Sequence, residues 1–255
     1  MIQAVQSKMD ADNAKPNPAT WPVFSIIIPT FNEASSIART LTALAEIPGS
    51  VEVIVVDGGS SDKTVEIVRE RGARLIMAER GRGAQMHAGA GASQGEVLWF
   101  LHADTLPPNN ALELIAQSLS DPRAIGGSFN VDFDSRLLSA RFLAWSYRQL
   151  RRFGLCYGDS AIFVKREAYE RVGGFKPFPI FEDLDLVRRL RRHGRLAHLR
   201  ACVVTSSRRF ERRSFLLTLA RWMFLQVLYW MGVNPRALCR LYAPIRDPKL
   251  SQEIS

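Results

Sequence analysis

The feature that most limits this chain is a rhythm in its first hundred residues. Short apolar runs stop at polar residues and are separated by stretches with helical spacing. The runs "VFSIIIP" (23–29), "VEVIVVD" (51–57), "ARLIMAE" (73–79) and 96–101 have the length and apolar content of strands covered on both faces. Between them, Ile37, Leu41, Leu44 and Ala45 recur at helical spacing within 33–46. In "GGSSDKTVEIVRERG", Ser61 or Asp62 is placed to cap a helix that ends at Gly72. This alternation predicts an α/β fold: a parallel sheet with helices on both faces. Ligands of such sheets sit outside the carboxyl ends of the strands, where strand order reverses.

The second half is less regular. Residues 124–133 read as a strand and 137–152 as a helix, and 158–175 read as strand, short helix and glycine turn. Residues 182–195 form a basic amphipathic helix with acids in its first turn, followed by a strand at 196–207. Segment 214–233 is an apolar helix whose polar residues Thr218, Arg221 and Gln226 share one narrow stripe. Three readings fit it: a helix docked on the protein or forming a homodimer, a helix lying in a membrane interface, or a span. In the second, Trp222, Tyr229 and Trp230 are the anchors.

The organisation that results is a disordered, proline-containing lead-in (1–22), one domain (23–207) and a C-terminal apolar helix and tail (208–255). The domain divides into a first half, 23–105, and a second, 106–207. Three distant cysteines without metal spacing fit reduced thiols in the cytoplasm. Of the net charge of +9, the excess lies in residues 136–213, with 19 Lys/Arg against 7 Asp/Glu. That points to an anionic partner, either phosphate groups or an acidic membrane face. No nucleic-acid-binding signature accompanies it, so nucleic acid is the weakest of the anionic partners and none is expected, and a merely solvated basic surface is the alternative.

Three polar clusters fall at strand ends and should converge. Asn32 and Glu33 follow the first strand, where Glu33 suits either a ribose hydroxyl or a helix N-terminus. Asp57 ends the second and suits a base, a ribose or its own turn. The run 96–101 ends in His102-Ala103-Asp104. Asp104 is the natural ligand for a hard divalent cation that also grips a diphosphate. His102 suits a manganese ligand, a phosphate contact or a support for Asp104. Glu182, Asp183 and Asp185 are either helix-start acids or a source of a general base. Arg188, Arg189, Arg191 and Arg192 behind them are phosphate contacts or a solvated face.

"SIIIPTFNE", "VIVVDGGSSDKT", the segment through "GEVLWFLHADT", "AIFVKREAYERVGGF" and "FEDLDLVRRL" stand in one order across residues 23–205. Together they resemble the family 2 glycosyltransferases, which have a GT-A fold. The resemblance implies a nucleoside diphosphate sugar donor (UDP- or GDP-linked), Mg2+ or Mn2+, and inversion at the anomeric carbon. Carried over, Pro29, Thr30, Asn32, Glu33, Asp57 and Ala103 would hold the nucleotide and Asp104 the metal and diphosphate. Asp183 would be the base, with Gly158, Asp159 and Glu182 near sugar or acceptor.

The chain departs from the family in two places. His102 replaces the first acid of the usual triplet and becomes a candidate metal ligand. Met86-His87 replaces an Arg-Asn pair, whose task falls to Arg80, Arg82 or Gln85. The glycine-rich segment with His-Ala-Asp is similar to a bacterial subgroup often named for arsenosugar biosynthesis. The acceptor (lipid phosphate, glycan or small molecule) is unassigned. A cytoplasmic enzyme, peripheral on the inner membrane face, fits these expectations. Two alternatives are a nucleotidyltransferase, which would need a glycine- and lysine-rich loop absent from "PTFNEASS", and a non-catalytic nucleotide-sugar or membrane binder.

Overall fold

The computed structural model describes residues 23–135, 137, 141, 142, 144–146, 149, 158–207 and 215–242. The first half alternates as the pattern predicts: β1 (Phe24–Thr30), α1 (Ile37–Ala45), β2 (Val51–Asp57), α2 (Thr64–Glu70), β3 (Arg74–Met77), α3 (Arg82–Ala92) and β4 (Val97–Phe100). Then follow β5 (Thr105–Leu106), α4 (Ala111–Leu119), β6 (Ala124–Phe133), a 3-10 turn (Gly158–Ser160), β7 (Phe163–Lys165), α5 (Arg166–Arg171), α6 (Glu182–Leu190) and β8 (Arg195–Thr205). Two C-terminal helices close the described chain, α7 (Phe215–Trp230) and α8 (Pro235–Tyr242). Most of the helix predicted at 137–152 lies outside the described residues.

The eight strands form one sheet in the order β3-β2-β1-β4-β7-β6-β8-β5. The first four run parallel. The parallel sheet expected of the first half is there, and the second half adds antiparallel strands to it: β7 runs antiparallel to both β4 and β6, and β5 antiparallel to β8. The strand read within 158–175 is β7, but its direction does not show in the pattern, and the two-residue β5 carries no hydrophobic period at all. The sheet is also curled. Four strand spacings of about 4.8 Å would separate β4 from β5 by roughly 19 Å in a flat sheet. The chain from Phe100 to Thr105 reaches at most about 17 Å when fully extended, and it turns at residues 103–104.

Alternation along β1 builds a core on each face. Ile26 and Ile28 pack with Ile37, Leu41 and Leu44 of α1, whereas Ile27 packs with Met86 and Ala90 of α3. Each of the buried isoleucine, leucine and methionine side chains is worth about 1.5–3 kcal/mol of transfer free energy. The tie between β4 and β7 is Trp99, fully buried, whose Nε1 donates to the Ala161 carbonyl (3.2 Å) while its ring stacks on Phe129.

Helices α7 and α8 pack against the segment leading into α6. Leu225 and Leu238 bury Ile180, with Phe181, Leu228, Tyr229 and Val233 around them. The opposite side of α7 is exposed and apolar: Met223, Phe224, Val227 and Trp230, continued by Met231. Among the described residues no helix is long and apolar enough to cross a membrane.

Candidate active site

The order of strand addition reverses at β1, whose neighbours are β2 and β4, so a crevice opens beyond the C-terminal ends of β1 and β4. Register pairing of β4 stops at Ile27↔Phe100, two residues short of Pro29. A proline lacking an N–H is tolerated there because no ladder bond is required of it.

The frame around the crevice is assembled from side chains spent on one another. Asp57 is fully buried. Its Oδ2 accepts from the Gly59 and Ser60 N–H groups (2.9 and 2.7 Å), and its Oδ1 from Thr30 Oγ1 (3.0 Å) and Ser60 Oγ. Gln85, also buried, donates from Nε2 to the Thr30 and Val56 carbonyls (2.8 Å each), and its Oε1 accepts from Gly81 N–H. The Ala103 carbonyl accepts from Thr40 Oγ1 (2.7 Å). Thr30, Asp57, Gln85 and Ala103 therefore fix where β1, β2 and β4 end. Beside them, Asn32 and Arg80 are exposed and Glu33 is half-buried.

Asn32 is exposed and left-handed (φ 54), which is tolerable for asparagine. Its N–H donates to Ser60 Oγ and its Oδ1 accepts from Ser61 N–H, 2.8 Å each. Glu33 N–H donates to Thr64 Oγ1, and Ala34 N–H to Asp62 Oδ2. The helix expected to open at Glu33 starts at Ile37, because residues 32–36 are spent on this turn. Burial works against the charge of Asp62, but bonds from Thr64 and Ala34 outweigh it and hold the carboxyl below its usual range. The Arg80 guanidinium covers the Phe31 ring at 3.7 Å, a cation–π contact on the rim.

Among the described residues, a histidine–carboxylate contact and an ion pair join the halves of the domain. His102 Nδ1 lies 3.1 Å from Asp159 Oδ1, both largely buried. Arg82 Nε lies 2.8 Å from Glu182 Oε1, and Glu182 is 1% exposed. The other Glu182 oxygen, Oε2, is buried and has no hydrogen-bond partner among the described residues. Gly83 makes the second junction possible: a Cβ there would stand 2.5 Å from the Lys176 carbonyl and 3.2 Å from Glu182 Cβ. Any side chain would push α3 off the 176–182 segment.

Asp183 follows in the first turn of α6, 6% exposed, its Oδ1 accepting from Leu184 N–H (2.8 Å). Phe181 opens the helix in a left-handed conformation (φ 62) and stacks on Tyr229 of α7. Further back, Tyr169 accepts from Phe175 N–H and contacts His87 Nδ1, both at 3.1 Å, tying down the start of the loop. The structure thus brings His102 to Asp159 and Arg82 to Glu182. It places Asp104, half-buried, in the turn between β4 and β5.

The model of Glycosyl transferase family 2 matches residues 25–172, more than half of the chain. The chain belongs to glycosyltransferase family 2. Among curated relatives it is 30% identical over 206 residues to the UDP-forming catalytic subunit of cellulose synthase 1 from Komagataeibacter xylinus, covering 70% of this chain and 27% of that one. It is 31% identical over 180 residues to the glycosyltransferase AglE of Haloferax volcanii, covering 63% and 57%. The chain thus spans only part of these family 2 relatives.

Two solved structures share the GT-A fold. The mannosyltransferase PcManGT of Pyrobaculum calidifontis, in complex with GDP-Man and Mn2+, has TM-score 0.58 at 22% identity, covering 80% of this chain and 63% of that one. Glucosyl-3-phosphoglycerate synthase of Mycobacterium tuberculosis, with Mn2+, UDP and glucosyl-3-phosphoglycerate, has TM-score 0.59 at 19% identity, covering 85% and 82%.

A divalent metal, which family 2 membership raises, fits the donors present. Among the described residues no group of three or more His, Cys, Asp and Glu is spaced to cage an ion. Magnesium-type ions are usually held by one or two carboxylates and completed by substrate phosphate and water. An imidazole whose Nδ1 faces a carboxylate is the usual second-shell arrangement of a metal-ligating histidine, with Nε2 turned to the ion. His102 with Asp159 meets that pattern.

Sequence reasoning did not find Thr40, Thr64 or Phe181, and it offered Tyr229 as a membrane anchor, whereas the structure stacks it on Phe181. A threonine inside a helical pattern and an aromatic residue in an apolar run carry no local mark of their partners.

Proposed function

We propose that the chain transfers a sugar from a UDP- or GDP-linked donor to an acceptor hydroxyl with inversion, Asp183 acting as general base. The observation that carries this reading is the meeting of the two halves at the strand-end crevice. His102 of the β4 end contacts Asp159, and Arg82 of α3 contacts Glu182, the neighbour of Asp183.

In this reading the nucleoside lies over the turn of Pro29, Asn32 and Glu33, with Thr30, Asp57, Gln85 and Ala103 keeping that turn in place. Asp104 and His102 would hold Mg2+ or Mn2+, which supplies positive charge to the departing diphosphate. Asp183 takes the acceptor proton as the acceptor oxygen attacks the anomeric carbon from the face opposite the diphosphate. The bond from that carbon to the phosphate oxygen breaks and the nucleoside diphosphate leaves. The Leu184 N–H fixes one Asp183 oxygen, so the carboxylate is oriented before the acceptor arrives. Arg82 adds cationic charge beside the crevice, and Gly158 with Asp159 borders the sugar.

The acceptor class follows the chemistry only as far as a hydroxyl; a small-molecule acceptor of the arsenosugar type rests on the His-Ala-Asp resemblance. The exposed stripe of α7 and the basic second half support a peripheral position on the cytoplasmic face of an anionic membrane, with a homodimer through 214–233 as the competing use. A screen of nucleotide-sugars for released nucleoside diphosphate, run with Mg2+ and with Mn2+, tests the reading. Asp183→Asn should lower turnover by about 10²–10⁴-fold. Full activity in that variant, or release from no donor, would sink it.

A further inference from the structure

The residue that sets the entry to α6 is in an expensive conformation. Phe181 has φ 62, a region that suits glycine and strains a residue with a bulky side chain. Such conformations persist where the surroundings over-determine them. Here the surroundings are α7 and α8. The Phe181 ring stacks on Tyr229 at 4.9 Å between centroids with planes 30° apart, and Ile180 beside it is buried by Leu225 and Leu238. From this residue the start of α6 is laid out: the Phe181 carbonyl accepts from Asp185 N–H (3.0 Å), and Asp183 Oδ1 accepts from Leu184 N–H.

The Tyr229 hydroxyl faces the same turn. Burial raises its pKa, the charges of Asp185 and Asp183 raise it further, and a bond from Arg188 opposes them. It stays a neutral phenol that shares surroundings with the base.

We propose that Tyr229 is a positioning residue: its ring holds Phe181 left-handed and thereby aims Asp183, which makes α7 part of the catalytic apparatus. This rests on Asp183 being the base. Without the ring, Phe181 relaxes toward negative φ, the first turn of α6 rotates, and Asp183 loses its fixed direction. The turns that end β1, β2 and β4 on the donor side are held by their own contacts.

The test uses the full chain. In Tyr229→Leu, hydrogen exchange at the Leu184 and Asp185 amides should quicken at least tenfold while the β1 amides stay unchanged. With UDP-glucose and GDP-mannose as donors, nucleoside diphosphate release should show kcat falling at least tenfold and the donor KM staying within twofold. Tyr229→Phe keeps the ring and should retain both properties. Phe181→Leu removes the stack from the other side, and the double variant should be no worse than either single one.

Unchanged exchange at Leu184 and Asp185 in Tyr229→Leu would overturn the proposal, as would a Tyr229→Phe defect equal to that of Tyr229→Leu. Additive losses in the double variant would overturn it too, and they can be read even if one single variant melts early. Retained turnover in Asp183→Asn would instead remove the base assignment, a separate failure from that of the stack.

Discussion

His102 Nδ1 sits 3.1 Å from Asp159 Oδ1, so the end of β4 is oriented by a residue from the second half of the domain. If His102 turns its other nitrogen to the ion, His102→Ala and Asp159→Asn share one defect: weaker metal binding, by about 10–100-fold for the loss of the orienting carboxylate. Mn2+ titration followed by electron paramagnetic resonance measures this without turnover. Asp104→Ala should go further and abolish transfer. Wild-type Mn2+ affinity in Asp159→Asn would disconnect the pair from the metal.

Asp57 is expected to act through stability. Its carboxylate accepts four protein hydrogen bonds while fully buried. Asp57→Asn turns one acceptor oxygen into a donor that faces other donors, at a cost of about 2 kcal/mol. For a chain of this size that is a fall in Tm of roughly 4–8 °C. A thermal melt in the absence of nucleotide decides it, and an unshifted melt would return Asp57 to direct nucleotide contact.

Arg82 and Glu182 should behave as a unit. Arg82→Ala strands a buried carboxylate, one of whose oxygens already lacks a hydrogen bond among the described residues, and should cost about 3 kcal/mol. Adding Glu182→Gln should restore most of that loss. Urea unfolding of the two singles and the double gives the coupling; strictly additive losses would mean that the contact contributes nothing.

Tyr169 sets an alkaline limit. Burial pushes its phenol up to about 12, from the usual tyrosine value of 10.0. The folded protein keeps this proton between pH 10 and 12 while the unfolded chain releases it, so stability falls as pH rises through that window. Tyr169→Phe should be less stable at neutral pH, having lost the bond from Phe175 N–H, yet show a shallower decline above pH 10. Guanidinium unfolding at pH 8, 10 and 11 separates the two effects.

The outer stripe of α7 leads to a binding experiment. Flotation with vesicles containing anionic lipid should recover the wild-type chain, and Phe224→Ser with Trp230→Ser should release it. Equal flotation of both would assign the stripe to some other contact, and a dimer would appear in sedimentation.

The first half was legible because its strands alternate with helices and end in polar residues. The apolar residues of β1, β2 and β4 carry both strand identity and burial. Less of the site was legible. A polar residue at a strand end reads the same whether it meets a ligand or its neighbours, and Thr30, Asp57 and Gln85 meet their neighbours. The backbone at Asn32, Ala161 and Phe181 is left-handed (φ 54, 49 and 62), yet none of the three is a glycine to announce it. Each lies at or within two residues of a proposed site residue. They are held by tertiary contacts, such as the stack on Tyr229, that no local pattern encodes.

Because β7 pairs with β4 on one side and β6 on the other, the two halves share the interior of a single sheet. Exchanging either half between relatives would therefore cut through this sheet. A chimera joining residues 23–105 of this chain to the second half of another must match Trp99 to its new partners at the positions of Phe129, Ala161 and Phe163. It must also meet His102 with an acid and Arg82 with another. New acceptor preferences should therefore arise by substitution along the loops of an intact domain, because recombination at the middle of the chain breaks the Trp99, His102 and Arg82 contacts that join the halves.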